Sequence, residues 1–366
     1  MSAQPDLLYS EEEEALRAAV RDLLADHCDA TAVLARVESG EPHDRALWKN
    51  LAETMGLAGL LVPEDQGGQG ASHREAAVVC EELGRAVAPL PYLTSAVIAT
   101  ETLLGCAGDE ARTLLAALAG GRTVGALAVP LSAGPGQGPG DVRADGGAVS
   151  GRVTAVADAA AADVFLVPTP SGLFAVDATA DGVTVTPQTS LDRTRPLAAV
   201  TFDGAAGRLL TDDAPAAVRR GLRAGAGLLV SEQLGMADWL LAETVRYTRE
   251  RHQFNRPVGS FQALKHRLAQ LWLEVVNTRA VARNAADALA TGSDDTDVAV
   301  AVAQAFAAPV AVRAAEEALQ LHGGIGMTWE HPIHLYLKRA KADAIALGTP
   351  GHHRAALAEL VDLQAP

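Results

Sequence analysis

Four long stretches of helical periodicity, at about 215–250, 261–290, 296–321 and 333–345, dominate the C-terminal part of this 366-residue chain. Apolar residues recur there at three- and four-residue spacing, the pattern of helices that each bury one face. Asp213 with Pro215 forms a helix start, because a carboxylate can cap free N–H groups and proline suits the first turn. Asn255 to Gly259 breaks the first pair of stretches, and Gly292 to Asp295 breaks the second. Consecutive helices of this length hide their apolar faces by packing on one another, so the spacing predicts a four-helix bundle.

Two other segments precede it. The first, to about residue 120, also reads as helical. Ser10 and Glu13 have the form of a capping box, and Glu11 to Glu14 suit the positive end of a helix dipole. Further helices are predicted over Ala46 to Met55, Arg74 to Val87 and Pro91 to Leu104, with a loop from Pro63 to Gly70. From 121 to 210 the pattern changes to short β-like runs: Val124–Val129, Ala148–Ala155, Asp163–Val167, Leu173–Val176, Gly182–Thr186 and Ala198–Phe202. The Ser132–Gly140 stretch between the first two is a Gly/Pro-rich loop. Such runs predict a small antiparallel sheet or barrel. The expected class is α+β, with an N-terminal helical domain (1–120), a middle β domain (121–210) and a C-terminal helical bundle (211–366).

A formal net charge of −15 argues against nucleic acid as a main partner. Three scattered cysteines, Cys28, Cys80 and Cys106, predict reduced thiols. Met1 to Pro5 leads straight into an acidic helix start, and no uninterrupted apolar run is long enough to span a bilayer, so a cytoplasmic protein without membrane insertion is expected.

Two stretches hold residues suited to binding. In Arg251-His252-Gln253-Phe254-Asn255-Arg256-Pro257-Val258-Gly259, an arginine lies close to a helix start, an arrangement that suits an anion. A solvated arginine at a helical hairpin reads equally well. In Gln320-Leu321-His322-Gly323-Gly324-Ile325-Gly326-Met327-Thr328, paired glycines either let a backbone approach a ligand or cap a helix. The glycines follow a helix, so this is not a dinucleotide fingerprint.

Together, Arg251-x-Gln253-Phe254, then Gly259-Ser260-Phe261-Gln262, then the run from Gln320 to Lys341 (QLHGGIGMTWEHPIHLYLKRAK) resemble the acyl-CoA dehydrogenases in order and separation. Val62-Pro63-Glu64 and Ser190-Leu191-Asp192 extend the resemblance along the chain. It implies FAD as cofactor, an acyl-CoA thioester as substrate and a flavoprotein as electron acceptor. It also implies that Arg251, Gln253, Phe254, Gln262, Gln320, Gly323 and Gly324 contact FAD held mainly by a neighbouring subunit.

The same resemblance exposes losses. The family's usual glutamate base falls on Leu347, in Ala346-Leu347-Gly348-Thr349, and the alternative base on an earlier helix falls near Gly225. Leucine cannot take a proton, and the chemistry needs a base beside the substrate's α carbon. Glu232, Asp238 and Asp343 are the displaced candidates; each of them, like Glu330, also reads as a structural or solvated carboxylate. Val129 to Gly134 lacks the family's Thr-Glu-Pro and Gly-Ser-Asp. Ala155-Val156-Ala157-Asp158 puts alanines where relatives set a tryptophan and a threonine against the flavin. The expectation is a base-lacking partner subunit in a hetero-oligomer. The alternatives are a self-sufficient homo-oligomer with a displaced base and a flavin-free binding protein. No metal site is expected from His322, His331, His334, His352 and His353, whose sequence neighbours lack a liganding pattern.

Overall fold

A computed structural model describes residues 7–364 except Pro42, Gln137 and Pro139. The chain start at Met1–Pro5 lies outside the described residues, as do Gln137 and Pro139 of the Gly/Pro-rich loop. The N-terminal segment holds α1 (Glu11–His27), α2 (Ala30–Glu38), α3 (Arg45–Lys49), α4 (His73–Ala86), α5 (Thr100–Leu104) and α6 (Asp109–Ala119). The Ser10 capping box forms as expected, with the Glu13 carboxylate accepting from the Ser10 N–H. Two expected helices are wider turns in part: Asn50–Thr54 and Tyr92–Ala99 are π-helical, running from α3 and into α5. Helices α2 and α6 were not expected.

The middle segment is one seven-stranded sheet: β1 (Gly125–Leu127), β2 (Arg143–Asp145), β3 (Ala148–Ala157), β4 (Val164–Thr169), β5 (Gly172–Asp177), β6 (Val183–Gln188) and β7 (Leu197–Thr211). The order is β1-β4-β5-β7-β3-β2, with β6 also on β7. The purely antiparallel expectation needs correction, because β1 runs parallel to β4. A parallel neighbour needs a long crossover, and the excursion through β2 and β3 supplies it. β2 itself is exposed on alternate residues and too short to read from its sequence.

The C-terminal segment contains α7 (Ala214–Glu250), α8 (Gln262–Thr291), α9 (Thr296–His322), α10 (Ile333–Asp343) and α11 (Pro350–Leu360). Asp213 caps α7 by accepting from the Ala216 N–H. Helix α7 is the spine of the molecule: α4 lies against it so closely that a Cβ on Gly84 would sit 2.1 Å from the Glu232 carbonyl oxygen, and one on Gly235 would sit 1.8 Å from that of Glu81. Only glycine permits that approach. The segment Thr296–Met327 is long and apolar enough to cross a membrane, which corrects the sequence expectation. Scattered polar residues broke the apolar count without lowering the average. In the fold, 61% of that apolar window is buried, as in the core helix of a bundle.

Candidate active site and outer helix ends

Leu347, fully buried, takes a left-handed conformation (φ 53°) just after α10. Its N–H donates to the Leu131 carbonyl at 2.7 Å, and its carbonyl accepts from the His353 ring at 3.0 Å. The Gly-Thr pair that follows serves the backbone. Gly348 turns at φ 100°, and Thr349 caps α11 through the His352 N–H.

Three segments that the resemblance assigns to substrate and flavin meet here. Val129, Pro130 and Leu131, then Ala157, then Leu347 line one cavity of about 20 Å³. That volume takes a water molecule, whereas ligand sites run to roughly 300–1,000 Å³. The space directly beside Leu347 is too small for a flavin ring or a thioester. The alternative base position is closed as well: a Cβ on Gly225 would lie 2.6 Å from Ile98 and 3.2 Å from Leu347. A neighbouring cavity of about 380 Å³ shares Val129, Pro130 and Leu222, and is walled by Ala, Val, Pro, Gly and Leu alone. None of those described residues can accept a proton.

The displaced carboxylates are occupied elsewhere. Arg195 reaches Glu232 and Asp343, each at 2.6 Å, while Arg339 pairs with Asp192 at 2.7 Å and with Glu232. All five side chains are buried. Burial alone would raise the Glu232 pKa, yet Arg195 and Arg339 hold it below the usual carboxylate range. Three carboxylates face two guanidiniums, so one negative charge stays uncompensated. Asp343 bears that imbalance: burial, with Glu232 nearby, pushes its pKa up to about 7. Neither Glu232 nor Asp343 lines the Leu347 cavity. Asp238 lies half-exposed between Arg85 (2.8 Å) and Arg279 (3.0 Å). The network fixes the loop before β7 to α7 and α10. Sequence reasoning reaches Asp192, Glu232 and Asp343, includes Arg339 only within the family-like run from Gln320 to Lys341, and misses Arg195. Arg195 and Asp343 stand 148 residues apart, and no spacing rule joins them.

A second buried group centres on the last residue of the Ala155-Val156-Ala157-Asp158 run. Asp158, at φ 53° after β3, accepts from Thr94 at 2.8 Å and meets His43 at 2.9 Å. Burial opposes its ionisation, but His43 and Arg195 still hold it below the ordinary range.

The outer ends of α7, α8 and α9 present the opposite picture. Arg251, Gln253, Phe254, Gln262, Gln320, Gly323 and Gly324 are all exposed. His252–Gln253 and Arg256–Pro257 pair as a small hairpin, and its tip residues Phe254 and Asn255 both take positive φ, 53° and 63°. Phe254 is 86% exposed. A bulky residue in the left-handed region, facing water, costs on the order of 1–3 kcal/mol and marks a site with another use. Arg256 stacks on Phe261 at 3.9 Å, and Phe261 meets Phe254 edge-on. No carboxylate among the described residues pairs with Arg251. Beside this face, Glu243, His322 and His331 converge, with ligand atoms within 4.8 Å of one another, a grouping that the sequence neighbours of these histidines do not reveal. The glutamate comes from α7, too distant in sequence to be counted.

Comparison with known proteins agrees with this architecture. Residues 10–122 match the acyl-CoA dehydrogenase N-terminal domain model, and residues 215–361 match the C-terminal domain model. The acyl-CoA dehydrogenase IpdE2 of Mycolicibacterium smegmatis is 37% identical over 342 residues, covering 93% of this chain and 96% of the relative. Among solved structures, the ChsE4-ChsE5 complex from Mycobacterium tuberculosis superposes with a TM-score of 0.87 at 27% identity, covering 99% of this chain and 100% of that one. A variant of the Tcur3481-Tcur3483 steroid acyl-CoA dehydrogenase gives 0.85 at 30% identity, with 96% and 98% covered. The chain therefore belongs to the acyl-CoA dehydrogenase family, oxidoreductases acting on CH–CH bonds, a family whose fold implies a flavin.

Proposed function

We propose that this chain is the base-lacking subunit of a hetero-oligomeric acyl-CoA dehydrogenase, and that it completes the FAD site of a second, catalytic chain. One observation carries the reading. Leu347 sits at a cavity of about 20 Å³, the adjoining cavity of about 380 Å³ is walled by described residues that cannot accept a proton, and the cross-subunit FAD positions stand exposed. FAD bound at the partner's centre would supply the hydride acceptor for the β carbon of the thioester, with a flavoprotein as the onward electron acceptor.

The residues here bind and orient. Arg251 offers a charged fork suited to a phosphate. Phe254 offers a flat apolar face, while Gln253, Gln262 and Gln320 offer amide donors and acceptors. Gly323 and Gly324 leave room for close backbone approach. The base, and the pocket for the acyl chain, belong to the other chain. The heteromeric ChsE4-ChsE5 complex supports such an arrangement by likeness, and the steroid acyl-CoA dehydrogenase makes a steroid-derived thioester the first substrate to assay. Free thiols at Cys28, Cys80 and Cys106 suit the cytoplasm.

Dye-linked oxidation of acyl-CoA thioesters tests this. The purified chain should show no turnover, and activity should appear when it is co-purified with an acyl-CoA dehydrogenase chain encoded beside it. Ordinary enzymatic turnover by the chain alone contradicts the proposal.

A further inference from the structure

We infer that Glu243, His322 and His331 form a divalent metal site of zinc type that ties together the ends of three helices. Their ligand atoms all lie within 4.8 Å of one another. Glu243 projects from α7, His322 is the last residue of α9, and His331 precedes α10. The site stands on this geometry and does not depend on the subunit reading above.

His322 supplies the independent observation. It is 2% exposed, and its Nε2 has no hydrogen-bond partner. A buried polar atom without a partner is costly, so it asks for an explanation. Its other nitrogen, Nδ1, lies 2.8 Å from the Ala318 carbonyl. An N–H donated there fixes the tautomer and leaves the Nε2 lone pair pointing at the cluster, as the outer hydrogen bond of a metal-bound histidine does. Tyr247 stacks on the ring at 4.3 Å and donates to the His322 carbonyl, which keeps the imidazole in place.

The other two donors are less committed. The Ile333 N–H reaches His331 Nδ1 only at 3.5 Å, the outer limit of a hydrogen bond, so its tautomer can follow a ligand. Arg246 grips both oxygens of Glu243 at 2.5 and 2.8 Å, and each oxygen keeps a second lone pair. The guanidinium would act as the outer partner that orients a ligating carboxylate.

Donor chemistry selects the ion. Calcium and magnesium require oxygen ligands, and the positive charge of Arg246 weighs against any purely electrostatic cation site. Two imidazoles and one carboxylate match zinc, which takes nitrogen and oxygen at about 2.0–2.2 Å and leaves a fourth position for water. Closing the cluster to tetrahedral spacing needs side-chain shifts of about 1 Å. The metal would pin the Gly323–Met327 turn to α7, and that turn carries Gly323 and Gly324.

The test uses the full chain without a histidine tag, stripped with a chelator and titrated with Co²⁺ alone. The site predicts uptake of one ion per chain with the intense visible bands of a four- or five-coordinate centre, displaced by Zn²⁺. His331→Ala and Glu243→Gln should each weaken uptake by more than about a hundredfold, beyond what loss of an outer partner costs. His27→Ala, at an exposed histidine elsewhere, should leave it unchanged. Circular dichroism of the metal-free variants establishes that they are folded, and Glu243→Gln decides should His331→Ala not fold. No uptake, a pale six-coordinate spectrum, or uptake unchanged in the folded variants overturns the inference.

Discussion

The interior around Leu347 and the outer ends of α7, α8 and α9 derive from one family pattern, yet they have fared in opposite ways. Inside, leucine and alanine stand where the resemblance implies polar and aromatic residues, and the space beside Leu347 is only about 20 Å³. Outside, Arg251, Gln253, Phe254, Gln262, Gln320, Gly323 and Gly324 keep the types the family shows and remain exposed. Relaxation toward stability would have spared neither, since an exposed left-handed phenylalanine is the costlier feature. This contrast supports the proposal that the chain lends contacts to a partner's flavin.

The largest expected effect separates a structural carboxylate from a displaced base. Glu232→Ala leaves Arg195 and Arg339 short of a partner in the core and should cost about 3–5 kcal/mol in urea denaturation. If Glu232→Ala instead left stability intact and removed turnover from the complex, the interior would be catalytic after all. Next, Leu347→Glu restores the family's residue where nothing can receive it. It should destabilise the fold by about 2 kcal/mol or more and give the lone chain no activity. A measurable gain in acyl-CoA oxidation would break the comparison.

Asp343 gives a pH effect of defined sign. Its folded pKa lies near 7, above its ordinary value, so the folded state holds a proton that the unfolded chain has released. Its contribution to stability therefore falls as pH rises from about 4 to 7, and it is unfavourable above that. Asp343→Asn should gain on the parent by about 1 kcal/mol or more between pH 5 and pH 8, read from urea midpoints. A parent that gains on the variant over that range would contradict the charge count in the network. Smallest for the lone chain is Phe254→Ala, which keeps the left-handed conformation and removes only the exposed ring: stability should change by no more than about 0.5 kcal/mol, while flavin retention by the co-purified complex falls. Equal flavin retention would remove the hairpin tip from the proposed FAD contacts.

Helix order and the emptied base position were legible because each rests on local signals. Periodicity located α7 to α10, and Ser10, Asp213 and Gly292 marked ends where the backbone needs a cap or a left-handed turn. What escaped was non-local. The Arg195–Arg339 network joins a sheet loop to two helices, and the β1–β4 pairing depends on a crossover. Glu243 reaches His322 only because α7 and α9 pack side by side. The fate of Leu347 was readable as a missing base, but the closure of the space around it depends on Ile98, Leu131 and Leu222 arriving from three other segments.

Flavin content per chain separates a partner subunit from a self-sufficient enzyme. The visible absorption spectrum should be taken of the chain purified alone and of the chain co-purified with its encoded neighbour. A colourless lone chain is expected, and a yellow complex whose flavin is released when Arg251 is replaced by alanine. Near-stoichiometric flavin on the lone chain would contradict the partner-subunit reading, because the chain would then hold its own flavin.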